Sequence, residues 1–204
     1  IYVALELIGL ASVALVALSG AREALSAALR YALVGLLGSL CYLLGVALLY
    51  RAYGSLDLLE LAQLTQSNPI TWAALCLISV GLILKTALVP LHFWLPQAHA
   101  SAPAPVSAVL SALVVKASFY LLLRFWLVIL VPATNSLSMS ILGTLGAIAI
   151  VWGCIGAYRA ERLKRLIAYS TVAQLGYLFL VFPLVAASAE PIALNNTAVL
   201  ATCY

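Results

Sequence analysis

"LILKTALVPLHFWLPQAHASAPAP", residues 82–105, interrupts an otherwise apolar chain with one lysine, two histidines and four prolines. Pro90 follows Lys85 by five residues, removes a backbone N–H donor and disfavours helix at the residue before it. Pro96 extends the disturbance along the chain. An ordinary loop would explain "SAPAP", but it explains "VPLHFWLP" less well because that part stays apolar and aromatic. We therefore predict a proline-broken helix near residues 85–105.

The composition of the whole chain is that of a membrane protein. Of its 204 residues, 66% are hydrophobic and only 8% are charged, whereas a soluble domain is about half apolar and about a quarter charged. In lipid only a helix satisfies its backbone within a single segment. We predict an all-α fold, a polytopic transmembrane helical bundle that forms one partial domain over residues 1–204. The predicted spans cover residues 1–19, 31–50, 70–89, 105–131, 137–157, 166–187 and 192–204.

The two ends of the chain shape one further expectation. Residue 1 is Ile inside an apolar run, and the run that begins near Ile192 stops before it reaches the roughly 20 residues that a crossing needs. We therefore expect the chain to be an internal piece of a longer protein.

Basic residues are distributed unevenly between the two sides of the predicted bundle. The connections after the first, third and fifth spans hold Arg22, Arg30, Arg159, Arg162, Lys164 and Arg165, and the opposite side holds Arg51 and Arg124. Because cytoplasmic loops carry an excess of Lys and Arg, we predict that loops 20–30 and 158–165 are cytoplasmic. Residue 1 is then predicted to face the outer side. We further expect the membrane to be a bacterial or archaeal cytoplasmic membrane. The cluster at 158–165 is interpreted as a topology anchor, with an anionic-lipid or partner-subunit contact as the alternative.

Three ionisable residues lie inside predicted spans, namely Glu6, Lys85 and Lys116. A charge near the bilayer centre is costly, so such residues usually face a bundle interior, pair with one another or line a path for ions. We predict that all three take part in proton translocation. The alternatives are a purely structural salt bridge for the lysines and an interfacial position for Glu6.

Polar side chains that could hold ordered water form a second set of candidates. They lie on single faces of the fourth and sixth spans, or next to the helix break: Tyr120, Arg124, Ser170, Gln174, Tyr177 and His92. Such stripes usually serve as packing contacts between helices; the alternative is that they line a proton path. We expect His99, by contrast, to be a hydrated loop histidine.

Catalytic and cofactor chemistry find no support in the chain. The cysteines are far apart, both histidines lie in one segment, and no glycine-rich nucleotide loop is present, so we predict no metal, no cofactor and no nucleic acid partner. Any redox chemistry must then occur in another subunit. Sodium fits less well than protons because a hard cation prefers several oxygen ligands, and the spans offer one carboxylate beside two lysines.

The segments "LKTALVPLHFWLPQAHASAPAPVSAVLSALVVKASFYLLLRF" and "RLKRLIAYSTVAQLGYLFL" closely resemble the signatures of antiporter-like membrane subunits. These subunits occur in respiratory complex I, in Mrp-type cation/proton antiporters and in membrane-bound hydrogenases. "ALELIGLASVALVAL" is similar to their glutamate-bearing helix. The resemblance implies two inverted-topology bundles, each with a broken helix, and a polar axis filled with water at mid-membrane. It also implies that Glu6 and Lys85 form the glutamate–lysine pair and that Lys116 is the connecting lysine.

Three functions remain open at this stage. The first is a proton-translocating subunit of a redox-driven complex of the NADH:quinone oxidoreductase type, with other membrane subunits, the lipid bilayer and protons as partners. The second is a subunit of an Mrp-type antiporter that exchanges sodium for protons. The third is a structural membrane subunit whose buried charges only fix the register of its helices.

Overall fold

The computed structural model of the protein describes residues 2–187, and the predicted span at 192–204 lies outside them. Within this range the chain forms ten α-helices: α1 (Tyr2–Ala17), α2 (Arg22–Tyr53), α3 (Leu58–Leu64), α4 (Pro69–Thr86), α5 (Leu95–Ser101), α6 (Ala104–Val109), α7 (Val115–Arg124), α8 (Ser136–Tyr158), α9 (Leu163–Phe179) and α10 (Val181–Ala187). Five segments of the described part are long and apolar enough to cross a membrane, and α1 is a shorter apolar helix. The prediction of an all-α polytopic helical bundle is confirmed.

The fourth predicted span, at 105–131, is one helical segment in the structure, Ala104–Ile129. It is built from α6, α7 and two π-helical turns. The π-helical turns are Leu110–Val114, which joins α6 to α7, and Phe125–Ile129, which follows α7. Each π-helical turn is wider than an α-helical turn and shifts the order of side chains around the axis. The polar residues of α7 therefore lie between two such shifts.

Helix α2 begins earlier than the sequence predicts. Residues 20–30 were expected to form a loop, but the chain is helical from Arg22 onward, because Ala, Leu, Glu and Arg are strong helix formers. At 32 residues α2 is about 48 Å long, well beyond the roughly 30 Å of a hydrocarbon core. It ends at Tyr53 and is followed by Gly54, whose positive φ of 71° is a conformation that glycine adopts readily.

Side-chain caps fix the starts of three other helices. Asn68 accepts the backbone N–H of Thr71 at the start of α4, and Asp57 accepts two N–H groups at the start of α3. Asn135 and Ser138 form a reciprocal capping box at the start of α8. These caps satisfy backbone donors that have no partner inside the helix.

The predicted helix break lies between α4 and α5. Helix α4 ends at Thr86, Ala87 takes a left-handed conformation with φ 57°, and regular α-helix resumes only at Leu95. With 18 residues, α4 is about 27 Å long. Pro90 lies in the break, whereas Pro96 lies in the first turn of α5, where proline lacks only a donor that the helix does not use. Pro96 thus begins a helix, contrary to its predicted role as a breaker.

The outer surface of the described bundle is largely apolar. Leu33, Leu36 and Val151 are each more than half exposed, which would be unfavourable in water and is expected in contact with lipid tails. The chain is an integral membrane protein.

Glycines allow two helix pairs to approach very closely. Helices α2 and α4 meet at Gly38 and Gly81, and helices α8 and α9 meet at Gly146 and Gly176. At both crossings a Cβ atom added to either glycine would come within 3 Å of the partner's carbonyl oxygen. Small residues at helix contacts are a common way to pack helices in membranes, where apolar side chains gain nothing by leaving lipid.

Candidate functional site

The central feature of the site is an ion pair between α1 and α4. Lys85 Nζ lies 2.7 Å from Glu6 Oε1 and donates a hydrogen bond to it. The Lys85 side chain is 11% exposed and that of Glu6 is 24% exposed. It is the only salt bridge among residues 2–187. Two of the three predicted intramembrane charges are therefore in direct contact, although they are far apart in the sequence.

Ser39 of α2 also hydrogen-bonds to Glu6. Its hydroxyl lies within hydrogen-bonding distance of Glu6 Oε1 and of the Gly35 carbonyl oxygen in its own helix. Glu6 Oε1 thus accepts from Lys85 and from Ser39, and the carboxylate is held by two helices. Sequence reasoning missed Ser39, and the one signal available was its place directly after Gly38 in "GLLGS" at 35–39, where small residues recur at 35, 38 and 39.

The glycine crossing of α2 and α4 positions this arrangement. A Cβ atom at Gly38 would lie 2.9 Å from the Gly81 carbonyl oxygen and 3.5 Å from Lys85 Cγ. Because Gly38 immediately precedes Ser39, the close approach of the two backbones brings the Ser39 hydroxyl and the Lys85 stem to the same place. Lys85 also lies in the last turn of α4, where the helix dipole favours a positive charge.

An aromatic residue from the break donates a hydrogen bond to a backbone carbonyl in the last turn of α4. Trp94 is buried, and its indole N–H donates to the Leu84 carbonyl oxygen at 3.0 Å. The Trp94 ring stacks on Tyr31 of α2, with ring centroids 4.3 Å apart and planes 3° from parallel. The same carbonyl accepts a longer hydrogen bond from the Ala87 N–H at 3.4 Å, and the shorter bond from Trp94 adds to the stability of the break next to Lys85.

A cavity of about 90 Å³ adjoins the ion pair. Its lining includes both charged residues together with Gly9, Gly35 and Ser118. This volume is large enough for a few water molecules, and the charged groups supply the polar partners that buried water needs. Water in this cavity could exchange protons with the pair.

Lys116 lies in a different groove, between α1 and α7. That groove also contains Tyr120 and Leu121, and it shares Leu5 and Ile8 with the cavity at the ion pair. No side chain of residues 2–187 makes an ion pair with Lys116. Arg124 is half-buried farther along α7. The described structure therefore does not bring Lys116 into contact with Glu6 or Lys85, and apolar side chains of α1 lie between the two sites.

The polar stripe on α9 faces away from the ion pair. Ser170, Gln174 and Tyr177 line a surface groove with residues of α8, and Gln174 is exposed. The face of α9 that packs into the bundle holds Thr171 and Gly176 instead. The structure brings the three stripe residues together, but not with Glu6 and Lys85.

The two histidines occupy different surroundings. His92 lies in the break, half-buried, with its ring edge-on to Trp152 of α8. His99 is completely buried on α5, and its Nδ1 lies 2.6 Å from the Ser107 hydroxyl. The expectation of a hydrated loop histidine at His99 is wrong, because α5 packs against α9 instead of lying in a loop.

Helix α5 is held from both sides by basic residues. Lys164 donates to the Ala102 carbonyl oxygen at 2.6 Å, and Arg30 donates to the Gln97 side-chain oxygen at 2.7 Å. The basic cluster at 158–165 thus makes a specific contact with the broken helix. In the range 2–187 no three His, Cys, Asp or Glu side chains lie close enough together to bind a metal ion.

Comparison with known proteins gives consistent matches. The family described as "NADH:quinone oxidoreductase/Mrp antiporter, TM" matches residues 1–196. NADH-quinone oxidoreductase subunit N of Desulforudis audaxviator is 42% identical over 184 residues, which is 88% of this chain and 36% of that protein. The chain thus spans little more than a third of that curated relative.

Two solved membrane complexes contain a similar fold. A chain of the membrane-bound sulfane sulfur reductase, an archaeal respiratory complex, superimposes with a TM-score of 0.83 at 34% identity, covering 89% of this chain and 38% of that one. A chain of the Mrp complex from Dietzia sp. superimposes with a TM-score of 0.80 at 28% identity, covering 90% and 35%.

Proposed function

The chain belongs to the NADH:quinone oxidoreductase/Mrp antiporter transmembrane family, and from this membership we propose that it is part of a proton-translocating subunit of a redox-driven membrane complex. Its partners are other membrane subunits of that complex, the bilayer and protons. The similarity to NADH-quinone oxidoreductase subunit N supports the redox-driven assignment. The electron-transfer reaction belongs to other subunits, and this chain contributes ionisable groups within the membrane.

The single observation that supports this function most strongly is the Glu6–Lys85 pair beside a cavity. A salt bridge that served only as a packing element would be expected in dry, filled space. Here the pair is partly exposed and adjoins a space for water. The pair therefore has both a charge to change and a medium with which to exchange a proton.

The mechanism depends on the distance between Glu6 and Lys85. At 2.7 Å and an effective dielectric constant of ~20, the attraction is roughly 6 kcal/mol, and at ~6 Å it falls to roughly 3 kcal/mol. Water in the adjoining cavity would reduce both values by screening. Separation of the pair removes stabilisation from the ammonium group and favours release of its proton to the cavity, and closure of the pair favours uptake.

Lys116 is the proposed next group along the proton path. Its groove shares residues of α1 with the cavity at the pair, so a displacement of α1 would affect both. Tyr120 lines the same groove, and Arg124 and His92 remain candidates farther from the pair. Ser170, Gln174 and Tyr177 are left out of this path because they line an outward-facing groove.

The proposed orientation places residue 1 at the outer face, and segments 20–30 and 158–165 in the cytoplasm of a bacterial or archaeal cell. Arg22 and Arg30 line the same cleft as Arg162 and Arg165. This proximity supports the assignment of both basic segments to one side of the membrane.

The test is proton movement by the intact complex reconstituted in liposomes with a pH-sensitive dye inside. Glu6→Gln and Lys85→Met are each expected to reduce redox-driven proton movement at least about tenfold, the effect of losing about 1.4 kcal/mol. Glu60→Gln is the matched control, because Glu60 is an exposed acid of α3. The rate of proton movement in this variant should equal that of the wild type. Wild-type rates in assembled complexes that contain Glu6→Gln would refute the proposal.

The second candidate is sodium/proton exchange, which the likeness to the Mrp complex supports. The same liposomes distinguish the two functions when no electron donor is present. If an imposed sodium gradient then moves protons, and Glu6→Gln abolishes that movement, the antiporter assignment replaces the redox-driven one. A third outcome is that all the variants assemble and transport at the wild-type rate. The buried charges of this chain would then have only a structural role.

A further inference from the structure

A cleft lined by arginines lies at one end of the bundle, separate from the ion-pair site. It is formed by the start of α2, by α5 and by the residues before and within the first turn of α9, and its volume is about 550 Å³. This size falls within the range of roughly 300–1,000 Å³ that is typical of ligand sites. The charged residues that line it are Arg22, Arg30, Arg162, Arg165, Glu23 and Glu161.

The charge of this cleft is not balanced within the described chain. Four arginines and two glutamates leave a net charge of 4 − 2 = +2. The Arg30 side chain is held by Gln97, but the guanidinium groups of Arg22, Arg162 and Arg165 make no hydrogen bond or ion pair with any residue of 2–187. Guanidinium groups bind phosphate oxygens through paired N–H donors, so three such groups remain available for an anionic ligand.

The backbone around the cleft also favours an anion. Helices α2 and α9 both begin at it, and neither has a side-chain cap hydrogen bond at its start. The first N–H groups of a helix have no partner inside the helix, and they point outward with a partial positive charge. Two uncapped helix starts next to free arginines therefore present donors to the same space.

An apolar surface continues from the cleft along α2. Leu33 and Leu37 follow Arg30 at i+3 and i+7, which places them on the same face of the helix. Both leucines are more than half exposed. A ligand with a phosphate group in the cleft could therefore lay a hydrocarbon chain along α2. This combination is the chemistry of an anionic phospholipid and not that of a soluble phosphate.

We propose that the arginine cleft is a binding site for the phosphate headgroup of an anionic phospholipid whose acyl chain lies against Leu33 and Leu37. Arg162 and Arg165 come from the α9 side, and Arg22 and Arg30 from α2. Because Arg30 also holds Gln97 of α5, the bound lipid contacts the broken helix that bears Lys85 on its first half. This site is independent of the proposed transport function.

The test is lipid binding to the delipidated intact protein in neutral detergent, measured by native mass spectrometry. Phosphatidylglycerol should bind about tenfold more tightly than phosphatidylcholine. The double variant Arg162→Gln/Arg165→Gln should bind the two lipids about equally. The control is Arg51→Gln/Arg159→Gln, which removes the same charge from two exposed positions outside the cleft and should bind like the wild type.

Several results would overturn the lipid site. Equal loss in both double variants would show general attraction to a basic surface only. Binding of glycerol 3-phosphate as tight as that of phosphatidylglycerol would identify a soluble anion as the ligand, and a partner-subunit carboxylate in the cleft of the assembled complex would identify a protein contact. If Arg162→Gln/Arg165→Gln fails to fold, Arg22→Gln on the opposite wall should still weaken phosphatidylglycerol binding about threefold, and unchanged binding would overturn the site.

Discussion

Replacement of Gly81 by alanine should disturb the site through the backbone alone. A Cβ atom at Gly81 would lie 2.5 Å from the Gly38 carbonyl oxygen and 2.8 Å from the Tyr42 backbone nitrogen. An ordinary carbon–oxygen contact is about 3.3 Å or longer, so α4 must move away from α2 by roughly 0.8 Å. Both neighbouring atoms belong to the backbone of α2, and no side-chain rotation can relieve the contact.

The size of the effect follows from overpacking. Extra carbon atoms in a well-packed interior cost about 1–3 kcal/mol, and the shift also loosens dispersion contacts along the crossing. The greater helix propensity of alanine returns at most about 1 kcal/mol. We therefore expect Gly81→Ala to lower the free energy of unfolding by about 1–2 kcal/mol.

The measurement is unfolding of the purified protein by SDS titration in mixed micelles. Gly35→Ala is the matched control, because Gly35 lies in α2 and a Cβ atom there meets no atom within 4 Å. Its free energy of unfolding should stay within about 1 kcal/mol of the wild type, on the stabilising side. Equal values for the two variants would refute the inference that backbone contact at Gly81 sets the distance between the helices.

Three further substitutions test other contacts. Trp94→Phe keeps an aromatic ring but removes the shorter of the two hydrogen bonds to the buried Leu84 carbonyl and leaves only that from the Ala87 N–H at 3.4 Å, so the free energy of unfolding should fall by about 0.5–1.5 kcal/mol in the same SDS titration. Ser39→Ala removes a hydrogen bond to the Glu6 carboxylate, a contact that contributes about 1.5–3 kcal/mol, and should lower proton transport in liposomes about tenfold. Gln174→Ala should leave that transport within about twofold of the wild type, since the side chain is exposed on an outward groove.

The controls for these predictions come from the same chain. Trp126→Phe also removes an indole N–H, but its partner, the Ser79 hydroxyl, keeps a hydrogen bond of 2.6 Å to Leu75, whereas the Leu84 carbonyl keeps only one of 3.4 Å. The loss should therefore be smaller than for Trp94→Phe. Ser140→Ala removes an exposed hydroxyl that bonds only within α8 and should not affect transport. Transport lost in Gln174→Ala as strongly as in Glu6→Gln would contradict the outward position of the α9 stripe.

The membrane helices and the helix break could be predicted because their physical signals are local and strong. A long apolar run has no stable alternative to a helix in lipid, and Pro90 cannot supply a backbone donor. Glu6 and Lys85 stood out for a similar reason, since each charge in an apolar run is costly enough to need a special role.

The neighbours of the ion pair could not be predicted from local signals. Ser39 lies 33 residues from Glu6, and a serine in an apolar helix also bonds its own i−4 carbonyl, as Ser39 does with Gly35. Its contact with Glu6 depends on how α2 is rotated against α1 and α4. That rotation is fixed by the close approach at Gly38, which no helical periodicity encodes.

Helical spacing also could not identify which neighbour a polar face meets. Ser170, Gln174 and Tyr177 do share a face, but periodicity alone does not distinguish the packed side of α9 from its outer side. His99 was expected in a hydrated loop because it lies nearer the cytoplasmic surface than His92, but Pro96 and Pro105 each lie in the first turn of a helix and His99 is part of the packed helix α5.

Glycines have two opposite effects around the ion pair. At Gly38 and Gly81 it interlocks α4 with α2, whereas at Gly9 and Gly35, beside the cavity, an added Cβ would touch nothing within 4 Å. Lys85 thus lies on a helix that is closely packed against α2, whereas Glu6 lies on α1, where Gly9 has open space beside the cavity. In the proposed mechanism, we therefore expect the pair to separate by displacement of Glu6 with α1, while Lys85 keeps its position against α2.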